Sequence, residues 1–270
     1  MSTFSQRNGY VPLPPKMVPE AITSELRNTL WNLINDAISF EEYGKLTESL
    51  WIRLYKLPAD SRPRMSNSNG VFWGRSWELV RDKILKGEWY EVYDHVEFLG
   101  KCKPKLIPIF NRILESEAAA YRIIGNQVCQ ITDANEIEAI ENSLNDVDRF
   151  APVADHINAA LALMTDRVRP DYRNSIKESI SAVESAAKIV TQNPNVELGK
   201  ILRYLETAGK INGALVKGFS AIYGWTSDQQ GIRHAMLEEP NLNHSDAKFF
   251  LVICSAFANY LKAVELNNIE

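Results

Sequence analysis

The chain is short of the residues from which metal sites and disulfide frameworks are built. Its 270 residues include three cysteines and four histidines. Cys102, Cys129 and Cys254 are widely spaced and have no histidine at a metal-ligand interval, so the sequence predicts neither a disulfide framework nor a zinc site. Cys254 lies inside an apolar helical pattern and is expected to be a core residue rather than a nucleophile. We expect no metal and no cofactor.

Long apolar runs and an excess of basic residues are also missing. No run reaches the roughly 20 residues needed to cross a bilayer, and the opening MSTFSQRNGY lacks the charged-then-apolar layout of a signal peptide. A cytoplasmic location without membrane contact is therefore expected. The net charge of −4 gives no globally basic surface, so nucleic acid would need a local basic patch or a groove between subunits.

The spacing of apolar residues predicts a mainly α fold in two domains. A chain of this length exceeds the usual domain of roughly 100 to 150 residues. The first domain, 1–146, is expected to be helical with a small β-hairpin near 121–131, because Gly125 and Asn126 tolerate positive φ between two β-prone runs. The second, 147–270, repeats apolar residues at steps of three and four, which predicts an up-and-down helical bundle. Asp133 followed by Glu136 predicts a helix start just before the boundary.

Residues 58–75, PADSRPRMSNSNGVFWGR, are rich in Pro, Gly, Ser and Asn and so predict a long loop. Arginines and aromatic residues in this loop are candidates for contacting phosphates and bases of RNA. These RNA-contact candidates are Arg62, Arg64, Trp73 and Arg75. The alternative is a solvated loop whose aromatic side chains fold back onto the domain.

Polar chemistry is concentrated before the last helix, in the stretch YGWTSDQQGIRHAMLEEPNLNHSDAKFFLVICSAFANYL from Tyr223 to Leu261. Arg233 and His234 are the candidate catalytic residues, because an imidazole can move a proton near neutral pH and a guanidinium can hold a phosphate through two hydrogen bonds. The alternative is that they cap backbone carbonyls, pair with an acid such as Asp228, or face water. Asp228 is also a candidate for assisting them.

A second polar group is expected where the second helix of the bundle begins. Arg173, Asn174 and Glu178 would share one face of that helix, with Asp171 as its N-cap. They are predicted either to form a structural network with the loop at 226–234 or, through Glu178, to orient the His234 imidazole. His244, at the start of the last helix, is a further supporting candidate.

Several segments together resemble a known family of defence proteins. The segments DYRNSIKESISAVES, INGALVKGFSAIYGWTSDQQGIRHAM and DAKFFLVICSAFANYL resemble the HEPN-type helical domain at the carboxy end of bacterial abortive-infection proteins. The segments FSQRNGY, ELRNTLWN, WGRSWELV and WYEVYDHVEFL are similar to the amino-terminal domain of AbiJ-like proteins. The resemblance implies antiphage defence by a helical, usually dimeric domain that is often a metal-independent endoribonuclease toxin. It also implies RNA, including transfer RNA, as substrate, and an antitoxin or a phage trigger as candidate partners.

In such nucleases the His assists proton transfer at the ribose and leaving oxygens, while the Arg stabilises charge on the phosphorane, across a homodimer interface. The family places the two residues four to six positions apart, whereas Arg233 and His234 are adjacent. Either this chain uses the adjacent pair, assisted by Asp228 and Arg173, or its nuclease site is degenerate. The second hypothesis is therefore a non-catalytic module that dimerises and binds RNA or a partner protein.

Overall fold

The computed structural model describes residues 4–10, 17–67, 70–145, 148–166, 169–195, 197–228 and 242–266. The chain divides into two compact units, Met1–Thr132 and Asp133–Glu270. Both are built mainly from α-helices, which confirms the predicted fold class.

The first unit contains six α-helices among its described residues, and the α2 helix starts where Thr23 accepts a hydrogen bond from the Leu26 amide. A π-helix at Leu50–Leu54 directly follows the helix Tyr43–Ser49, and short 3-10 turns lie at Phe40–Glu42, Ala59–Ser61 and Pro104–Leu106. The α-helices are α1 Phe4–Arg7, α2 Ser24–Ala37, α3 Tyr43–Ser49, α4 Gly74–Lys86, α5 Trp89–Cys102 and α6 Ile107–Ser116.

The hairpin predicted near 121–131 is confirmed. Strand β3, Arg122–Ile124, pairs antiparallel with β4, Gln127–Cys129. Gly125 and Asn126 connect them with φ of 55° and 66°, the left-handed conformation that a tight hairpin turn requires.

The prediction of a long loop over 58–75 is wrong in part. Strands β1, Met65–Asn67, and β2, Gly70–Phe72, pair antiparallel there, with Asn67 opposite Gly70. Met65 and Val71 are exposed, so this hairpin has no apolar alternation that would distinguish it from a loop.

The core of the first unit forms between α2, α4, α5 and α6. Leu26, Leu30 and Ile34 lie on one face of α2 and are fully buried, as the helical spacing predicts. The indole nitrogen of Trp77 donates to Asn35 Oδ1 at 3.0 Å, which satisfies a polar atom at the edge of this core.

The second unit is a helical bundle around one long helix, α9, which packs against α8 and α12. Its core is apolar at the predicted positions, among them Ile157, Ile180 and Leu261. Cys254 is fully buried in this core, as expected, and burial raises the pKa of its thiol. The helices are α7 Ala134–Leu144, α8 Ala151–Thr165, α9 Tyr172–Thr191, α10 Leu198–Thr207, α11 Gly213–Asp228 and α12 His244–Leu266.

Helix α7 packs with the second unit, although the sequence boundary was placed after it, at residue 146. Asp133 caps the helix by accepting from the amides of Asn135 and Glu136, as predicted. Its buried Ser143 contacts Ser255 of α12 through their hydroxyls at 3.3 Å, and the compact units divide after Thr132. The Asp133 cap predicts where the helix begins, but it does not predict which helices the apolar face of α7 packs against.

Helix α12 qualifies over His244–Val264 as a candidate membrane span by length and composition alone, although no apolar run of that length was expected from the sequence. Half of its apolar 18-residue window is buried inside the structure. The side-chain amide of Asn259 donates to the Ala139 carbonyl of α7 at 2.9 Å, and Lys248 pairs with Glu136 at 2.7 Å. These contacts are those of a core helix in a bundle.

Candidate functional site

The residues with the strongest catalytic signal, Arg233 and His234, lie outside the described residues. Asp228 is the last residue of α11, and its side chain also lies outside them. The structure does describe the helices on both sides of this segment, the end of α11 and the start of α12.

Aromatic stacking holds α11 against α12. Phe219 stacks on Phe257 with ring centroids 4.0 Å apart, and Trp225 stacks on Phe250 at 5.1 Å. Positions later in α11 thus meet positions earlier in α12, so the two helices run antiparallel. The end of α11 and the start of α12 therefore lie at the same end of the bundle.

The start of α9 lies at this same end. The His244 ring, the first residue of α12, meets the Tyr172 ring edge-on with centroids 6.4 Å apart, a favourable aromatic geometry. Tyr172 is the first residue of α9 and Arg173, which is half-buried, follows it. The supporting candidates His244 and Arg173 are therefore both placed at the end of the bundle where α11 ends and α12 begins.

Burial lowers the pKa of His244, and the nearby Lys248 ammonium lowers it further. A lowered pKa keeps the imidazole neutral around neutral pH, in the form that can accept a proton. The lowered pKa therefore favours the neutral imidazole of His244, the form that a general base requires.

Asn174 has a structural role at the start of α9. The Asp171 side chain accepts a hydrogen bond from the Asn174 amide at 2.9 Å and another from its Nδ2 at 2.7 Å. Asp171 is thus the N-cap that the sequence predicted. The Asn174 side chain holds the Asp171 carboxylate in its capping position. Asn174 would therefore affect a site only by fixing the start of α9.

The Glu178 carboxylate pairs with a histidine that the sequence analysis did not single out. His156 of α8 lies with Nδ1 at 2.7 Å from Glu178 Oε2, and no hydrogen bond to His156 Nε2 is found among the described residues. A carboxylate at Nδ1 fixes the tautomer that leaves Nε2 available as an acceptor. The sequence predicts instead that Glu178 orients the imidazole of His234. The packing of α8 on α9 brings His156 and Glu178 together, and no local motif marks either residue.

The RNA-contact candidates of the first unit separate into two groups. Arg62 is 6% exposed. Its guanidinium donates to the Gly44 carbonyl and to Thr47 Oγ1 and lies 3.5 Å from the centroid of the Trp73 ring. The Arg62 guanidinium is therefore engaged inside the domain, whereas Trp73 packs on it but is only half-buried. RNA contact by these two residues stays a prediction.

Arg64 and Arg75, in contrast, are exposed. They remain candidates for phosphate contact. The alternative in which aromatic residues fold back onto the domain describes Trp73 correctly. The sequence did not indicate that Arg62 would be buried with it.

Within the part of the chain that the structure describes, no group of three or more His, Cys, Asp or Glu side chains is arranged to hold a metal ion.

The family model described as AbiJ N-terminal domain 4 matches residues 2–146, a range that extends from the N terminus through α7. No curated protein and no solved structure matches the chain significantly.

Proposed function

The chain belongs to the AbiJ N-terminal domain 4 family, which connects it to abortive infection and antiviral defence, and we propose that it acts in this defence as a metal-independent endoribonuclease. The substrate is RNA, with transfer RNA as the first to test, and the place of action is the cytoplasm. The bundle at 147–270 acts in this proposal as a HEPN-like domain, to which its segments are similar.

The observation that carries the proposal is the clustering of polar chemistry at one end of the bundle. Tyr172, Arg173 and His244 lie at the end of the bundle where α11 ends and α12 begins, and the sequence between these two helices contains Arg233 and His234. A neutral imidazole and guanidinium groups are the chemistry that proton transfer and phosphorane stabilisation require. An antitoxin or a phage-derived trigger that changes access to this end would control the activity.

A homodimer is part of the proposal. Phe249 and Tyr260 of α12 are 53% and 38% exposed, and with Ile253 and Ala256 between them they recur at steps of three and four on one helix face. An exposed apolar face of this kind is typical of a protein interface. The occupant we propose is the same face of a second copy, because the related nucleases assemble their Arg and His residues across a dimer interface.

The second candidate function is a non-catalytic module that dimerises and binds RNA or a partner protein. The adjacency of Arg233 and His234, in place of the family spacing, favours it. The exposed face of α12 serves this function equally well, because binding needs no reactive residue.

A phage-infection assay distinguishes the two functions. Cells expressing the protein are challenged beside cells expressing Arg233→Ala, His234→Ala, or the core variant Phe257→Asp. A nuclease loses protection in all three variants, whereas a binding module keeps it in the two alanine variants and loses it only when the buried Phe257 stack is broken. Retained protection in both alanine variants would contradict the catalytic proposal.

Sedimentation of the purified protein tests the dimer. We expect a dimer at micromolar concentration, and a folded monomer when Phe249 and Tyr260 are both replaced by Asp. Because both side chains are exposed, these changes leave the core intact, and circular dichroism verifies the fold. A wild-type monomer at that concentration would contradict the dimeric arrangement.

A further inference from the structure

A chain of aromatic rings runs from the core of the first unit to its surface. Trp77 packs on Trp31 in the core with ring centroids 5.5 Å apart, and Tyr43 stacks on Trp77 at 4.6 Å. Phe40 meets the Tyr43 ring at 5.4 Å. Trp31 and Trp77 are buried, whereas Phe40 is 56% exposed. The rings behind Phe40 therefore support it, while more than half of its side chain faces solvent.

The β1–β2 hairpin extends this exposed aromatic surface. Phe72 of β2 lies beside Phe40 with ring centroids 6.2 Å apart, and Met65 is the partner of Phe72 across the hairpin. Cross-strand partners project from the same face of a sheet, and Met65 is 55% exposed. Phe40, Phe72 and Met65 therefore form one apolar patch, which we call the ring platform. Contiguous exposed patches of this kind mark interaction sites, unlike single exposed apolar residues.

Two exposed arginines lie at the base of the same hairpin. Arg64 directly precedes β1, and Arg75 is the second residue of α4. The Ser76 hydroxyl donates to the Pro63 carbonyl, which joins the chain after Arg75 to the chain before Arg64. The two arginines are therefore neighbours of each other and of the ring platform.

The charges around the ring platform favour an anionic partner. Residues 61–77 contain three arginines and no acidic residue. Arg62 faces Glu48 at 3.9 Å, but neither Arg64 nor Arg75 pairs with a carboxylate among the described residues. The acids nearby belong to the turn Phe40–Glu42, and of these Glu42 is paired with Lys103 at 2.6 Å. Arg64 and Arg75 thus outweigh the remaining Glu41, and positive charge attracts a polyanion.

Exposed aromatic rings beside arginines are the combination with which proteins bind single-stranded nucleic acid, because bases stack on the rings and arginines contact the phosphates. We infer that the ring platform binds single-stranded RNA, with a base stacked on Phe40 and phosphates held by Arg64 and Arg75. Phe72 and Met65 extend the contact with the stacked base.

The platform selects unpaired RNA, because both faces of a base inside a duplex are already covered by its neighbours. The inference rests on the proposed function, since it names the form of RNA that the nuclease receives. It concerns the first unit alone and adds Phe40, Phe72 and Met65 to the RNA-contact candidates.

Fluorescence anisotropy with a labelled single-stranded RNA of about 12 nucleotides tests the inference. Every protein is the full chain with His234→Ala, in EDTA, so that binding is measured apart from cleavage. We expect saturable binding of the single strand and about ten-fold weaker binding of the same sequence as a duplex. Equal binding of the two forms, or no binding of the single strand at about 10 µM protein, overturns the inference.

Substitutions of Phe40 separate base stacking from an apolar contact with a partner protein. Phe40→Ala and Phe40→Leu are each expected to weaken binding of the single strand about ten-fold, whereas Phe40→Tyr keeps a ring and retains it. Phe4→Ala in α1 is the matched control, because Phe4 is 68% exposed and lies outside the platform. Circular dichroism verifies the fold of each variant. Full affinity of Phe40→Ala or Phe40→Leu overturns the inference.

The salt dependence of binding tests the two arginines. Arg64→Gln and Arg75→Gln should each reduce the slope of log affinity against log salt by about 0.7, the value for one phosphate contact on a single strand. Arg112→Gln, at an exposed position of α6, should leave the slope unchanged, and equal slopes in all three variants overturn the inference. Failure of the nuclease proposal is a separate result, in which the chain with His234 intact binds RNA through the platform without cleaving it.

Discussion

Replacing Arg62 by Ala is expected to destabilise the first unit by about 3 kcal/mol. The side chain is 5% exposed and its guanidinium donates to Gly44 and Thr47. Hydrogen bonds from a charged donor contribute roughly 1.5 to 3 kcal/mol each, and a desolvated cation–π contact such as that with Trp73 contributes about 2 kcal/mol. The ion pair with the half-exposed Glu48, at 3.9 Å, adds little. These contributions are not additive because they share one group, which reduces the expected total to about 3 kcal/mol.

Urea denaturation of the full chain, followed by tryptophan fluorescence, measures this change. Arg64→Ala is the matched control, since Arg64 is exposed two positions away and its loss should cost less than about 0.5 kcal/mol. Arg62→Lys is expected to fall between them, because a lysine keeps the charge but cannot stack as a planar group. Equal stabilities of the Arg62→Ala and Arg64→Ala variants would refute the structural role given to Arg62.

Two further predictions concern pH and helix capping. Burial lowers the pKa of His95 below the ordinary value of 6.5, so the unfolded chain binds the extra proton more readily and stability falls as pH drops below about 6.5. Thermal melting from about pH 7 to about pH 5 should show this loss of stability in the wild type and a smaller loss in His95→Phe. Some loss remains in the variant because the pKa of His244 is also lowered. An equal dependence of stability on pH in the two proteins would contradict the reasoning. Asp171→Ala removes the cap that accepts from the Asn174 amide and should cost about 1 kcal/mol in urea denaturation, whereas no change would mean that water satisfies the helix end equally well.

Local chemistry made much of the fold predictable. Gly125 and Asn126 marked the hairpin because few residue pairs tolerate two positive φ values, and Asp133 and Asp171 marked helix starts because their side chains accept from the first amides. Apolar residues at helical spacing predicted the long helices, because one face of each helix must be buried.

Features that depend on packing between distant segments could not be predicted. The burial of Arg62 depends on Gly44 and Thr47, which lie 18 and 15 residues away in sequence. The His156–Glu178 pair joins residues 22 apart on two helices, and α7 joined the second unit through contacts with α12 more than one hundred residues later. For the candidate site, the sequence predicts Arg233 and His234, while the structure adds the contact of the Tyr172 ring with His244 and the lowered pKa of His244.

The most direct measurement is incubation of the purified protein with total RNA in excess EDTA, beside His234→Ala. The proposed function predicts that the wild type cleaves RNA under these conditions and that the variant does not. Cleavage that requires an added divalent metal ion, or equal cleavage by both proteins, would contradict a metal-independent nuclease whose site includes His234.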